Sequence, residues 1–165
     1  MTVVLMIVSK PRIGGSDRSG QFARMSEQSS AAASLTAGGF VELLGLRFDE
    51  VTPDRVVISW DVTPALHQPY GIVHGGVYSS VVETAASIAA AAWFGDRGQV
   101  VGVSNSTDFL RAVRDGSLRA VAEPVHRGRL QQLWLVEIRD ESERLVARGQ
   151  VRLQNISDAD RLGGR

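Results

Sequence analysis

Cysteine is absent from the 165 residues. That excludes a disulfide scaffold, a thiolate zinc site and a cysteine nucleophile. An excess of charge is absent too: 18 basic residues balance 18 acidic ones. A nucleic-acid binder carries a basic patch and a polybasic membrane protein a cationic run, so neither partner is expected. The apolar run VVLMIV, residues 3–8, has no basic residue before it. It is shorter than a signal core and far short of the roughly 20 residues that span a bilayer. The expectation is a cytoplasmic protein. No GxSxG elbow, GxxxxGK[ST] phosphate loop or complete GxGxxG fingerprint occurs either.

What is present fits one domain of ordinary size, large enough to bury a core. Hydrophobic residues make up 44%, too many for a disordered chain. SKPRIGGSDRSGQ, residues 9–21, reads as flexible. Met25 opens MSEQSSAAAS as a second candidate start, which would make residues 1–24 dispensable. The expected organisation is a flexible extension over 1–30, one domain over 31–156 and a frayed tail over 157–165.

Residues 31–44 predict a short helix weakened by Gly38 and Gly39. Alternating apolar and polar residues around Pro53-Asp54 predict a hairpin over about 45–63. The longest apolar stretch, 75–93, is alanine-rich and predicts a long helix. Four strand-like runs follow, VVGVSNSTDFL, SLRAVAEPV, LQQLWLVEIRD and ERLVARGQVRL, separated by turn chemistry. Strands in runs rather than βαβ units indicate an α+β fold, an antiparallel sheet with one apolar helix across it.

The candidate chemistry lies in HQPYGIVHGGVYSSVVETAAS, residues 67–87. Gly71, Gly75 and Gly76 bracket the helix start, where unpaired N–H groups and the dipole stabilise a developing oxyanion. The same glycines also suit a plain strand-to-helix turn. Glu83 follows Gly76 by seven residues, on the same helical face. Val81, Val82, Ala85 and Ala86 make its surroundings apolar. A carboxylate there is a surface acid, a buried one satisfied by Ser87 or an arginine, or an acid with a raised pKa fit for base or nucleophile. His67 and His74 lack the spacing and partners of a zinc pair. No metal and no cofactor are expected. His74 and Gln68 suit either carbonyl orientation or an ordinary loop.

Taken together, this stretch resembles the active-site signature of hotdog-fold acyl-CoA thioesterases, closest to the phenylacetic-acid and 4-hydroxybenzoyl-CoA types. The pattern Q-P-[FY]-G-x-x-H-G-G, six residues, then E-x-x-x-S is matched without a gap. The likeness covers about residues 39–154 and includes VVGVSNSTDFLRAVRDG. It implies a long helix wrapped by an antiparallel sheet, in a homodimer or homotetramer with sites at the interface. The implied substrate is an acyl-CoA or an acyl carrier protein thioester. The implied roles are Glu83 as nucleophile or general base and the Gly75 N–H as the group polarising the carbonyl. Gln68 and His74 would orient that carbonyl, and Ser87 would position Glu83 or the attacking water. Glu83 would come from the chain opposite the one supplying Gly75. Gly76 would border the substrate, and Arg111, Arg114, Arg127 and Arg129 would meet the phosphates of coenzyme A. Phe109 stands where close relatives carry a histidine. Tyr78, Val82, Trp93 and Phe48 are candidates for the acyl pocket or for core. Two other readings on this fold are a non-catalytic acyl-CoA-binding regulator and a hydratase. Residues 1–38 show no helix-turn-helix pattern for the first, and the HGG…E arrangement argues against the second.

Overall fold

The computed structural model describes residues 39–157. The expected flexible extension over 1–30, the part of the first expected helix before Gly39, and the expected tail beyond Ser157 lie outside the described residues. The chain begins with α1 (Gly39–Leu43) and a hairpin of β1 (Arg47–Val51) and β2 (Val56–Asp61). The turn between the strands closes where Thr52 N–H donates to the Arg55 carbonyl at 2.8 Å and Arg55 N–H donates to Thr52 Oγ1 at 2.9 Å. A miniature hairpin, β3 (His67–Gln68) and β4 (Ile72–Val73), then leads into α2 (Gly75–Phe94). Four strands follow: β5 (Gly98–Phe109), β6 (Ser117–Arg127), β7 (Gln131–Asp140) and β8 (Leu145–Ser157). The expected tail loses its first residue to β8, because Ser157 pairs with Gly98.

Six strands form one antiparallel sheet in the order β1-β2-β6-β7-β8-β5, and β3-β4 stand apart. The sheet wraps α2, which is the hotdog arrangement. Strand alternation sends Leu118, Ala120 and Ala122 of β6, and Trp134, Val136 and Ile138 of β7, to the helix side. There they meet Val81, Val82, Ala85, Ala86, Ala89 and Ala90, all fully buried. The helix is long and apolar enough to cross a membrane, but 72% of its most apolar window is buried inside the protein. It is the core.

One polar network crosses that core. Trp134 Nε1–H donates to Gln132 Oε1 at 2.8 Å, and Gln132 Nε2 donates to Asn155 Oδ1 at 2.6 Å. Asn155 Nδ2 in turn donates to the carbonyls of Gly128 and Arg129. The network ties β7, β8 and the β6–β7 turn together beside the end of α2. At the sheet's border, β5 pairs with β8 alone, so its outer edge carries unpaired backbone groups.

Candidate active site

The β3–β4 hairpin sets one wall of the site. Gly71 closes its turn with φ 70°, a left-handed conformation that glycine adopts without a Cβ penalty. Its N–H donates to the Gln68 carbonyl at 2.9 Å. Tyr70 N–H donates to Gln68 Oε1 at 3.2 Å. That bond uses the acceptor end of the Gln68 amide and leaves its NH2 donors free. The hairpin is anchored to the loop after β5: His67 Nε2–H donates to the Arg114 carbonyl at 2.8 Å, and Val73 N–H to the Val113 carbonyl at 2.9 Å. Arg114 Nη1 donates back to the Gly71 carbonyl at 3.2 Å.

His74 caps α2. Gly76 N–H donates to His74 Nδ1 at 2.9 Å, so the ring accepts at Nδ1 and carries its hydrogen at Nε2. Gly75 occupies the first helical position, where a helix has no internal partner for its N–H. A Cβ on Gly75 would come within 2.7 Å of the Phe109 ring, so glycine lets that aromatic ring lie against the helix start. Phe109 is 56% exposed and tilts against the Tyr78 ring at 6.0 Å. A cleft of about 600 Å³ opens here, lined by Gln68, Pro69, Ile72, His74, Gly75, Gly76, Tyr78, Phe109, Leu110 and Arg111, among others. It joins an apolar wall to convergent donors, the Gly75 amide and the Gln68 and His74 side chains.

Glu83 stands elsewhere in the same chain. Eight residues along α2 from Gly75 amount to about 12 Å of rise. Its Oε2 accepts from Asn105 Nδ2 at 3.1 Å, and its Oε1 is buried without a hydrogen-bond partner. Burial pushes the carboxyl above its ordinary range, opposed by the Asn105 hydrogen bond and more weakly by Ser87. Ser87 Oγ is itself buried with no bond closed to it, so it influences Glu83 from one turn away rather than pinning it.

The expected site residues therefore fall into three places. Gln68, His74, Gly75, Gly76 and Arg111 border the cleft, with Arg114 bracing its hairpin. Glu83 and Ser87 lie further along α2. Arg127 and Arg129 lie at the β6–β7 turn, where Arg127 Nη1 pairs with Asp54 at 2.7 Å and its guanidinium faces the Trp93 ring. Arg129 borders a separate hollow with His126, Leu130 and Gln154. Of the candidate pocket residues, Tyr78 borders the cleft, Val82 is core, and Phe48 and Trp93 pack against the core. Among the described residues, no group of three or more His, Cys, Asp or Glu is arranged to hold a metal ion.

Asn105, Thr107 and Gly102 escape the sequence reading. A Cβ on Gly102 would overlap Glu83 Oε1, so this glycine makes room for the carboxylate. The available signal was polar Asn105 and Thr107 at alternate positions of a strand that otherwise turns apolar residues inward.

The family model described as Thioesterase superfamily matches residues 70–147. Rv1847 of Mycobacterium tuberculosis is 55% identical over 116 residues, covering 68% of this chain and 83% of that protein. Its solved structure aligns with a TM-score of 0.70 at 54% identity, covering 72% of this chain and 96% of that one. The proofreading thioesterase EntH of Cronobacter turicensis is 35% identical, over 69% of this chain and 83% of its own. The 1,4-dihydroxy-2-naphthoyl-CoA hydrolase of Listeria monocytogenes is also 35% identical, over 66% of this chain and 88% of its own.

Proposed function

Because the chain belongs to the thioesterase superfamily and is a thioester hydrolase, we propose that it acts on an acyl- or aryl-coenzyme A, or on the same group borne by a carrier protein. The observation that carries the reading is the Gly75 amide, open at the helix start above a cleft with Gln68 and His74. The thioester carbonyl oxygen accepts from the Gly75 N–H, with the Gln68 NH2 and the His74 Nε2–H orienting it. Such donors act where charge develops in the transition state. Glu83 either attacks the carbonyl carbon, the C–S bond breaking to give an anhydride that water then hydrolyses, or takes a proton from an attacking water and passes it to the thiolate as the C–S bond breaks. Either way the thiol and the free acid leave. The apolar wall of Pro69, Ile72, Tyr78, Phe109 and Leu110 suits an aromatic acyl group. The name of the naphthoyl-CoA hydrolase supports an aryl-coenzyme A substrate. Arg111, at the cleft, is the first cation for the phosphates of coenzyme A.

The separation of about 12 Å along one helix is too wide for Glu83 and Gly75 of one chain to hold the same carbonyl. The working pair is therefore Gly75 of one chain with Glu83 of a second copy. The unpaired edge of β5, beside Glu83, is where that copy would join. Arg127 and Arg129 reach the substrate only if an assembled subunit brings them.

Thiol release followed with a disulfide indicator, over aryl- and alkyl-coenzyme A thioesters, tests the reading. Turnover by wild type, with a loss of roughly 10²-fold or more in a folded Glu83→Ala, is the expected outcome. A fully active Glu83→Ala would sink the assignment. Mixing inactive Glu83→Ala and Gln68→Ala chains tests the shared site. Random reassortment into dimers should restore about a quarter of wild-type activity, one intact site in each hybrid. No recovery in a mixture shown to exchange subunits would place both residues in one chain's site.

A further inference from the structure

Asn105 stands directly opposite Val151 in the β5–β8 ladder, and Val151 is fully buried on the helix side. Directly opposed residues of an antiparallel pair share a face, so Asn105 points at α2. Its Nδ2 donates twice, to Glu83 Oε2 at 3.1 Å and to the Ser79 carbonyl at 3.0 Å. Thr107, two residues on and opposite Gly149, donates from Oγ1 to Asn105 Oδ1 at 2.7 Å. That hydroxyl determines which end of the amide faces the helix. On the other side of the carboxyl, Gly102 brings bare backbone against Oε1. Glu83 is thereby held through Oε2, while Oε1 lies buried against Gly102 with no hydrogen-bond partner.

We propose that Asn105 is a positioning residue of the thioesterase site: oriented by Thr107, it clamps Glu83 Oε2 and so fixes the orientation of the carboxyl between α2 and β5. This rests on the reading of Glu83 as the catalytic carboxylate. The surrounding charges are consistent with it. Glu83 is the single charged residue of α2. On the strands packed against that helix, most charged side chains alternate to the opposite face; Asp140, opposite Leu118 at the end of β7, is bound to Arg144. Arg119 and Glu123 of β6, Glu137 and Arg139 of β7, and Arg148 and Arg152 of β8 flank inward-facing buried residues, and Asp108 of β5 pairs with Arg148. What acts on the carboxyl is burial, which raises its pKa, and then Asn105 and Ser87, which lower it.

The bland alternative is that Asn105 merely staples β5 to α2 through the Ser79 carbonyl. Asn105→Leu, Thr107→Val and Glu83→Gln separate the two, assayed as pH profiles of kcat and kcat/KM with circular dichroism and thermal unfolding alongside. Asn105→Leu should lower kcat about tenfold or more, the scale of one hydrogen bond to a charged group, with KM nearly unchanged. Its acid limb should move to higher pH, because the donor that opposed burial is gone. Thr107→Val should shift the limb the same way by less, and it tests the idea if Asn105→Leu does not fold. A wild-type limb in the folded variants, with activity tracking thermal stability alone, would overturn the proposal. An active Glu83→Gln would instead overturn the reading beneath it. An inactive Glu83→Gln beside unshifted Asn105→Leu and Thr107→Val profiles would overturn the Asn105 role alone.

Discussion

At the scale of the residue, Glu83 is a carboxyl buried at some expense to the fold. Its folded carboxyl titrates above the ordinary range, whereas in the unfolded chain it titrates near 4.3. The folded state thus binds this proton more tightly. The associated stability is fully present below the unfolded pKa and is lost as pH rises through the folded one. Glu83→Gln, which carries no charge to bury, should unfold at a higher temperature than wild type at pH 7. That advantage should shrink as the pH is lowered towards 4; thermal melts across that range measure it. A difference independent of pH would mean that the carboxyl sits in ordinary surroundings. Gly102 makes a second case at this scale. Gly102→Ala should lower kcat by about 10²-fold, as for loss of the acid–base group, while the sheet still forms. A Cβ there meets Glu83 Oε1, the flexible end of a side chain that can move away. Steady-state kinetics beside circular dichroism would show it.

At the scale of the element, α2 was the most legible part of the chain and β3–β4 the least. The helix is expected over 75–93 and found over Gly75–Phe94, because alanine favours helix and the run is long. It shows little one-sided periodicity because the sheet wraps it and leaves most of its sides buried. Its alanines matter by being small. Ala85, Ala86, Ala89 and Ala90 are fully buried, so the strands come close to the helix backbone. Ala89→Leu should destabilise by about 1–3 kcal/mol through overpacking, read from denaturant midpoints with the slope unchanged. Tolerance of the larger side chain would mean that the layer is looser than its burial indicates. The two-residue strands β3 and β4 have no period to detect. Yet their turn is what orients Gln68, through the bond from Tyr70 N–H.

At the scale of the whole molecule, the buried network around Gln132 holds distant segments in register. Gln132→Leu would leave Trp134 Nε1 and Asn155 Oδ1 without their partners. Two buried groups left unsatisfied should cost about 2–5 kcal/mol, measurable by chemical unfolding. A variant as stable as wild type would show that water replaces both bonds. The same scale governs the site. Arg127 and Arg129, in the HRGR loop, lie away from Arg111 at the cleft, because β6 runs between them.

The sequence by itself determined the helix, the run of strands and the signature from Gln68 to Ser87. These are local: propensity, alternation and fixed spacing within some twenty residues carry them. Only the tertiary structure decided that Asn105, Thr107 and Gly102 surround Glu83. Those contacts join residues about twenty positions apart in sequence across a helix–strand interface. Their geometry depends on the β5–β8 register, which a bulge between Gly102 and Ser104 shifts. A single-residue slip in that register would turn Asn105 to the other face, and no local pattern specifies such a bulge.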